Sequence, residues 1–204
     1  MQMAPLVNYS EYGVGIDPGW MNLGAAVIKT TDTLFKFEVV KSMTACPGNS
    51  HSPTYNTILT VQELMWGIEK PIYDCQSWIA ALVPHVSIER YVSYGNVRST
   101  HTEEITEVIG ILKAEFWHWG SIEPEMYKAI DWKTKLCQTL VRYTGFDNPS
   151  SSLDKKFSIA AAKHITTNNE SIIDDHQADA ICLAAYPKIL AQTKAVRATT
   201  AAKL

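Results

Sequence analysis

One stretch, Tyr12 to Lys29 (YGVGIDPGWMNLGAAVIK), constrains the fold of this chain more than any other. Val14, Gly15 and Ile16 form the apolar run of a buried central strand, Pro18-Gly19 supplies a sharp turn, and Gly24 to Lys29 returns as a second strand. Asp17 therefore stands at a strand end, with its backbone fixed by ladder hydrogen bonds. A carboxylate held in this way has the rigidity that a hard divalent cation asks of its ligands. Asp-Pro-Gly also opens ordinary turns, so this stretch alone leaves both readings open.

The rest of the chain supplies the elements that such a strand needs. Thr33 to Val40 alternates as a third strand, completing an antiparallel meander, and Ser42 to Thr54 has the Pro, Gly, Asn and Ser content of a long exposed loop. Helical spacing runs over Thr57 to Glu69 and Tyr73 to Leu82 and is broken at Pro71. His85 to Glu89 reads as a fourth strand that ends on a second acid, Glu89. After the turn-forming sequence YVSYGNVRSTH, a helix is expected from Thr102 to Trp119, stopped by Gly120.

Ser121 to Tyr127 is a short fifth strand that Glu123-Pro124 confines to an edge or a strand end. The helix Asp131 to Tyr143 turns Trp132, Leu136, Leu140 and Val141 inward and leaves Lys133, Lys135 and Arg142 outward, and Gly145 ends it. Ser152 or Asp154 caps a helix from Leu153 to Ile165, and a last helix starts near Asp175 and ends near Leu190. These elements make one α/β domain over 1–190. The remainder, 191–204, carries Lys194, Arg197 and Lys203 without an acid and is expected to form a basic flexible tail.

A chain of 204 residues is long enough for one sizeable core and short for two. No segment has the unbroken apolar length of a membrane span, and MQMAPLVNYS lacks the pattern of a signal peptide, so an intracellular, soluble protein is expected. Cys46, Cys75, Cys137 and Cys182 lie far apart without paired spacing, which argues against a zinc site or a disulfide framework. The net charge of −3 hides an asymmetry. Residues 1–120 hold seven Lys/Arg against twelve Asp/Glu, whereas 121–204 hold eleven against nine, and three of those nine are Asp174, Asp175 and Asp179. Without that acidic cluster the second half is basic, so cation-binding acids and phosphate-binding bases can share one face.

The most informative spacing lies in DDHQADAICLAAY. His176 and Asp179 are three apart and share a helix face, while Ala180, Leu183 and Ala184 suit packing against a sheet. Helix-dipole complementarity accounts for Asp174 and Asp175 at the start of the helix. It does not account for Asp179, whose neighbours Ala178, Ala180, Ile181 and Cys182 are apolar; a charge so placed is expected to be paired or metal-bound. Asp17, Glu89, Asp179 and His176 together have the composition that two-metal phosphodiester hydrolysis uses, with oxygen-rich ligands bridging two Mg²⁺ ions about 3.5–4 Å apart.

GIDPG, then GAAVI, SIE and HQADAICLAA, in this order from about Val14 to Tyr186, resemble the RuvC family of Holliday-junction resolvases. The resemblance implies an RNase H-like fold with a five-stranded mixed sheet flanked by helices. It also implies a homodimer and symmetric nicking of four-way DNA junctions with two Mg²⁺ per active site, for which Mn²⁺ substitutes. Asp17, Glu89 and Asp179 match the family's acids, and His176 falls where members carry aspartate or histidine, as a ligand or as proton acceptor for the attacking water. Asp175 has no place in the pattern and is expected beside the ligands or as a helix cap. Lys133 and Lys155 (or Lys156, by a shift of one) resemble two family lysines that hold the scissile phosphate.

Where the family has a stacking phenylalanine, this chain has Val92. Tyr91 and Tyr94 flank that position and, with Arg98, are the candidate DNA contacts of that turn. The aromatic end of the helix 102–119, with Phe116, Trp117 and Trp119, is the candidate dimer face. The resemblance further implies action at the nucleoid, or in a host cell for a viral chain. Two alternatives stay open: an RNase H-like nuclease acting on other branched DNA or on RNA–DNA hybrids, and a junction-binding protein that does not cut.

Overall fold

The computed structural model describes residues 11–19, 21–46, 54, 56–64, 84–91, 102–120, 122–149, 154–168, 172 and 174–202. Five strands, β1 (Tyr12–Asp17), β2 (Leu23–Thr30), β3 (Phe37–Ala45), β4 (His85–Arg90) and β5 (Glu125–Lys128), form one sheet in the order β3-β2-β1-β4-β5. β1, β2 and β3 make the antiparallel meander, whereas β1 to β4 and β4 to β5 run parallel, so the sheet is mixed. Among the described residues five helical segments flank it: α1 (56–64), α2 (Thr102–Gly120), α3 (Ala129–Thr144), α4 (Lys155–Ile165) and α5 (Asp175–Ala201). No helix among the described residues is long and apolar enough to cross a membrane.

The sheet is buried on both sides, which is why β1 and β2 read as nearly unbroken apolar runs. Val14, Ile16, Leu23, Ala25, Val27, Val86 and Ile88 face a core closed by Val61 and Leu64 of α1 and by Val108, Leu112 and Phe116 of α2. The opposite face packs Ala26 and Ile28 against Trp132 and Leu136 of α3, Phe157 of α4 and the small residues of α5. On that face β1 has glycine. A methyl group at Gly15 would collide with Ala180 O and Ala184 N, and one at Gly24 with His176 O. Glycine at these two positions lets the α5 backbone lie directly on the central strands.

Several boundaries differ from those expected. β3 starts at Phe37 rather than Thr33, because 31–36 is a turn: Phe35 has φ 59°, and its N–H donates to Gln192 Oε1 at 2.9 Å. β3 also runs through Ala45, taking over the start of the expected loop by pairing with Leu23 to Ala26 of β2. β5 is shorter than expected and begins just after Pro124, on the sheet edge. α4 starts at Lys155 rather than Leu153, and Asp154, one of the two expected caps, accepts from Lys156 N at 2.8 Å.

Two larger corrections concern α3 and the tail. Lys133 is buried, while Val141 is exposed, reversing the expected facing of both. The cause is a carboxylate within reach on the inner side, described below. The division at 190 into a domain and a basic flexible tail is not what 191–201 shows: α5 continues through Pro187 to Ala201. Tertiary contacts outweigh the helix-breaking tendency of proline. Gln192 holds the Phe35 turn, Thr193 is buried, and Arg197 Nε donates to Tyr143 Oη at 2.8 Å.

Candidate active site

β1 and β4 are parallel neighbours in which Ile16 pairs with Ile88, so Asp17 and Glu89 follow in step at the ends of two central strands. Their backbones are about one strand spacing apart, ~4.8 Å. Side-chain alternation sends Val14, Ile16, Val86 and Ile88 into the core of α1 and α2, and therefore sends Asp17 and Glu89 to the side of α5. Asp17 is also paired with Gly24 across the β1–β2 ladder, and at Gly24 the first turn of α5 lies close enough that an added methyl group would meet His176 O. That approach delivers His176 to Asp17, with Nδ1 and Oδ2 2.9 Å apart. One turn further along α5, Asp179 lies on the same helix face.

Each acid has a different partner. Asp179 Oδ2 accepts from Lys133 Nζ at 2.8 Å, in a pair that is nearly buried on both sides. Glu89 Oε2 accepts from the Trp132 indole N–H at 3.0 Å. Asp175 pairs with Lys155 at 2.6 Å, and Asp174 caps α5, accepting from Gln177 N at 2.8 Å and from Thr44 Oγ1 at 2.7 Å. Among the described residues no three His, Cys, Asp or Glu side chains are gathered as an ion-binding group.

The electrostatics nevertheless mark one site. Burial, followed by the charges of Asp17 and Asp179, pushes the Glu89 carboxyl up to about 7. Burial also raises Asp179, against the pull of Lys133 and with the push of Asp17. Burial works to lower the Lys133 ammonium, but Asp179, with Glu89 and Asp17 behind it, outweighs burial and raises it. The hydrogen bond to Asp17 raises His176, so its imidazolium persists to higher pH than in a free histidine. Asp179 Oδ1 is buried with no hydrogen-bond partner among the described residues. Hard oxygen donors gathered at one strand end, two of them raised by burial and by neighbouring acids and one with an orphaned oxygen, fit a divalent cation of the Mg²⁺ or Mn²⁺ kind.

Of the expected site residues, the fold brings Asp17, Glu89, His176, Asp179 and Lys133 to one end of the sheet, with Lys155 and Asp175 paired at its margin. Lys156 is exposed beside Lys155, and Tyr91 is half-buried just after β4. Val92, Tyr94 and Arg98 lie outside the described residues. Of the candidate dimer face, Phe116 is fully buried in the core, Trp117 is 60% exposed, and the Trp119 side chain is outside the described residues. Trp132, expected only as core, was missed as a partner of Glu89. The one signal was its place directly before Lys133.

No family model matches the sequence, and no curated protein matches it. Among solved structures, Thermus thermophilus RuvC is similar with a TM-score of 0.61 and 14% identity, covering 90% of this chain and 96% of that one. T. thermophilus RuvC in complex with Holliday junction substrate gives a TM-score of 0.61 and 14% identity over 89% and 95%. The yeast mitochondrial Holliday junction resolvase Ydc2 aligns with a TM-score of 0.38 and 12% identity over 98% and 89%. At such identity the likeness is one of architecture, and in architecture this chain resembles RuvC: an α/β fold with a five-stranded mixed sheet flanked by helices.

Proposed function

We propose that this protein is a metal-dependent endonuclease that resolves four-way DNA junctions by phosphodiester hydrolysis. The observation that carries the reading is the convergence of Asp17, Glu89 and Asp179 with His176 at one end of the sheet, where burial first, and the neighbouring acids second, raise the Glu89 carboxyl. The architecture shared with RuvC, which has been captured in complex with Holliday junction substrate, supports DNA junctions as the substrate class. Two divalent cations, when bound, supply neutralisation of the scissile phosphate and a water of lowered pKa.

The chain's own residues prepare the rest. Asp17, Glu89 and Asp179 would hold the cations. His176 accepts a proton from the attacking water once its imidazole is neutral, and Asp17 orients the ring through Nδ1. Lys133, beside Asp179, places its ammonium against the developing phosphate charge, and Lys155 does the same from the exposed margin. Two copies related by a two-fold axis would cut opposite strands, matching the symmetry of a four-way junction. Exposed Trp117 on α2 supports that helix as the contact between them. This activity belongs at the nucleoid, or in the host cell for a viral chain.

Asp179→Asn tests the reading directly. With Mg²⁺ present, the variant is expected to bind a synthetic four-way junction within a few-fold of the parent and to lose at least about 10³-fold in nicking rate, in line with removal of a transition-state-stabilising group. Gel assays on a junction, a flap and an RNA–DNA hybrid assign the substrate. Nicking that survives Asp179→Asn, or no nicking of any of the three by the parent, rejects the proposal.

A further inference from the structure

Trp132 has no role in the mechanism above, yet it is the largest fully buried side chain among the described residues. A buried indole N–H needs an acceptor, and a backbone carbonyl would serve. Here the acceptor is instead Glu89 Oε2, at 3.0 Å. The next residue, Lys133, reaches Asp179 at 2.8 Å, and its ammonium also lies 5.2 Å from the Trp132 ring centroid. Consecutive residues near the start of α3 thus grip two acids from different elements, Glu89 from β4 and Asp179 from α5.

The two grips differ in kind. Lys133 neutralises its carboxylate, whereas the indole N–H is uncharged and leaves the negative charge of Glu89 available. A rigid ring that is 0% exposed fixes one carboxylate oxygen and leaves the other for a ligand. For filling the core alone, a phenyl or an aliphatic side chain would suffice.

Resting on the active-site reading above, we infer that Trp132 is a positioning residue: its N–H holds Glu89 Oε2 so that the carboxylate is presented, still charged, to a divalent cation. Outer contacts of this type are worth roughly 10–100-fold in metal affinity when removed.

The test is Mn²⁺ affinity of the full chain, read from the electron paramagnetic resonance signal of free Mn²⁺. Four proteins are compared: the parent, Asp17→Asn, Trp132→Phe, and a chain in which position 132 carries β-(3-benzothienyl)alanine, which keeps the bicyclic shape and replaces N–H by sulfur. The expected result is binding about tenfold weaker in both Trp132 variants, with the benzothienyl protein melting within a few degrees of the parent. Mn²⁺ affinity of the benzothienyl protein within twofold of the parent overturns the inference, whatever Trp132→Phe does to folding. Absence of Mn²⁺ binding by the parent, or binding untouched by Asp17→Asn, rejects the site reading itself and the inference with it.

Discussion

Three carboxylates share the end of the sheet, and Glu89 bears most of their repulsion, with a carboxyl pushed up to about 7 by burial and by Asp17 and Asp179. In the unfolded chain the same group titrates near the ordinary glutamate value. Between those values the folded state binds the extra proton, so this group's contribution to stability falls as pH rises through the window. His176 acts in the same sense. Its raised pKa gives stability that is complete below the ordinary histidine value and is lost as pH climbs through the folded one. The metal-free protein is therefore expected to melt at a lower temperature at pH 8 than at pH 6. Glu89→Gln should remove up to about 3 kcal/mol of that dependence. Thermal melts across pH 5–9 in chelator check this, and an unchanged slope in Glu89→Gln would show that the repulsion is not felt there.

At this scale the sequence was legible where position implied chemistry. Asp17 and Glu89 end apolar strand patterns, and His176 and Asp179 are three apart in an apolar helix. The inward turn of Lys133 was not legible, because helical periodicity ranks a lysine as outward unless an acid waits on the inner side, and Asp179 is 46 positions away. The indole hydrogen bond of Trp132 was hidden for the same reason, since spacing identifies a buried ring but not what its N–H meets.

Elements are held in place here by what is missing from them. Gly15→Ala would drive a methyl group into Ala180 O and Ala184 N, backbone atoms that move only if α5 lifts from the sheet. A loss of about 3 kcal/mol is expected by urea denaturation, at the upper end of ordinary overpacking. Gly110→Ala is the control: nothing lies within 4 Å, the position is exposed on α2, and a gain of up to about 1 kcal/mol is expected from helix propensity. Equal effects from the two substitutions would contradict the close α5–β1 packing. The existence and order of the elements could be read from periodicity. Their ends could not: the residue at Phe35 adopts a left-handed turn without glycine, and Pro187 sits inside a helix that carries on past it. In both places the deciding contact comes from afar, through Gln192 to Phe35 and Arg197 to Tyr143.

For the molecule as a whole, the last fourteen residues are the sharpest point of difference between composition and structure. A loose basic tail could be removed at no cost to stability. Truncation after Leu190 instead removes the Gln192 and Arg197 hydrogen bonds and the buried Thr193, and is expected to destabilise by about 2–4 kcal/mol, roughly 1 kcal/mol per bond plus the lost burial. Chemical denaturation of the shortened chain decides the matter. An unchanged midpoint would restore the tail as an appendage.

The order in which the chain is made gives that late segment a further importance. β1 is the middle strand of the sheet, but its glycine-lined side is closed by α5, and Asp17 meets His176 across 159 positions. A polypeptide emerging from the ribosome thus carries its innermost strand half-clothed until α5 has been made, and only that helix can finish the garment. Chains stalled before α5 would expose that bare strip, making them clients for chaperones and proteases until the helix docks.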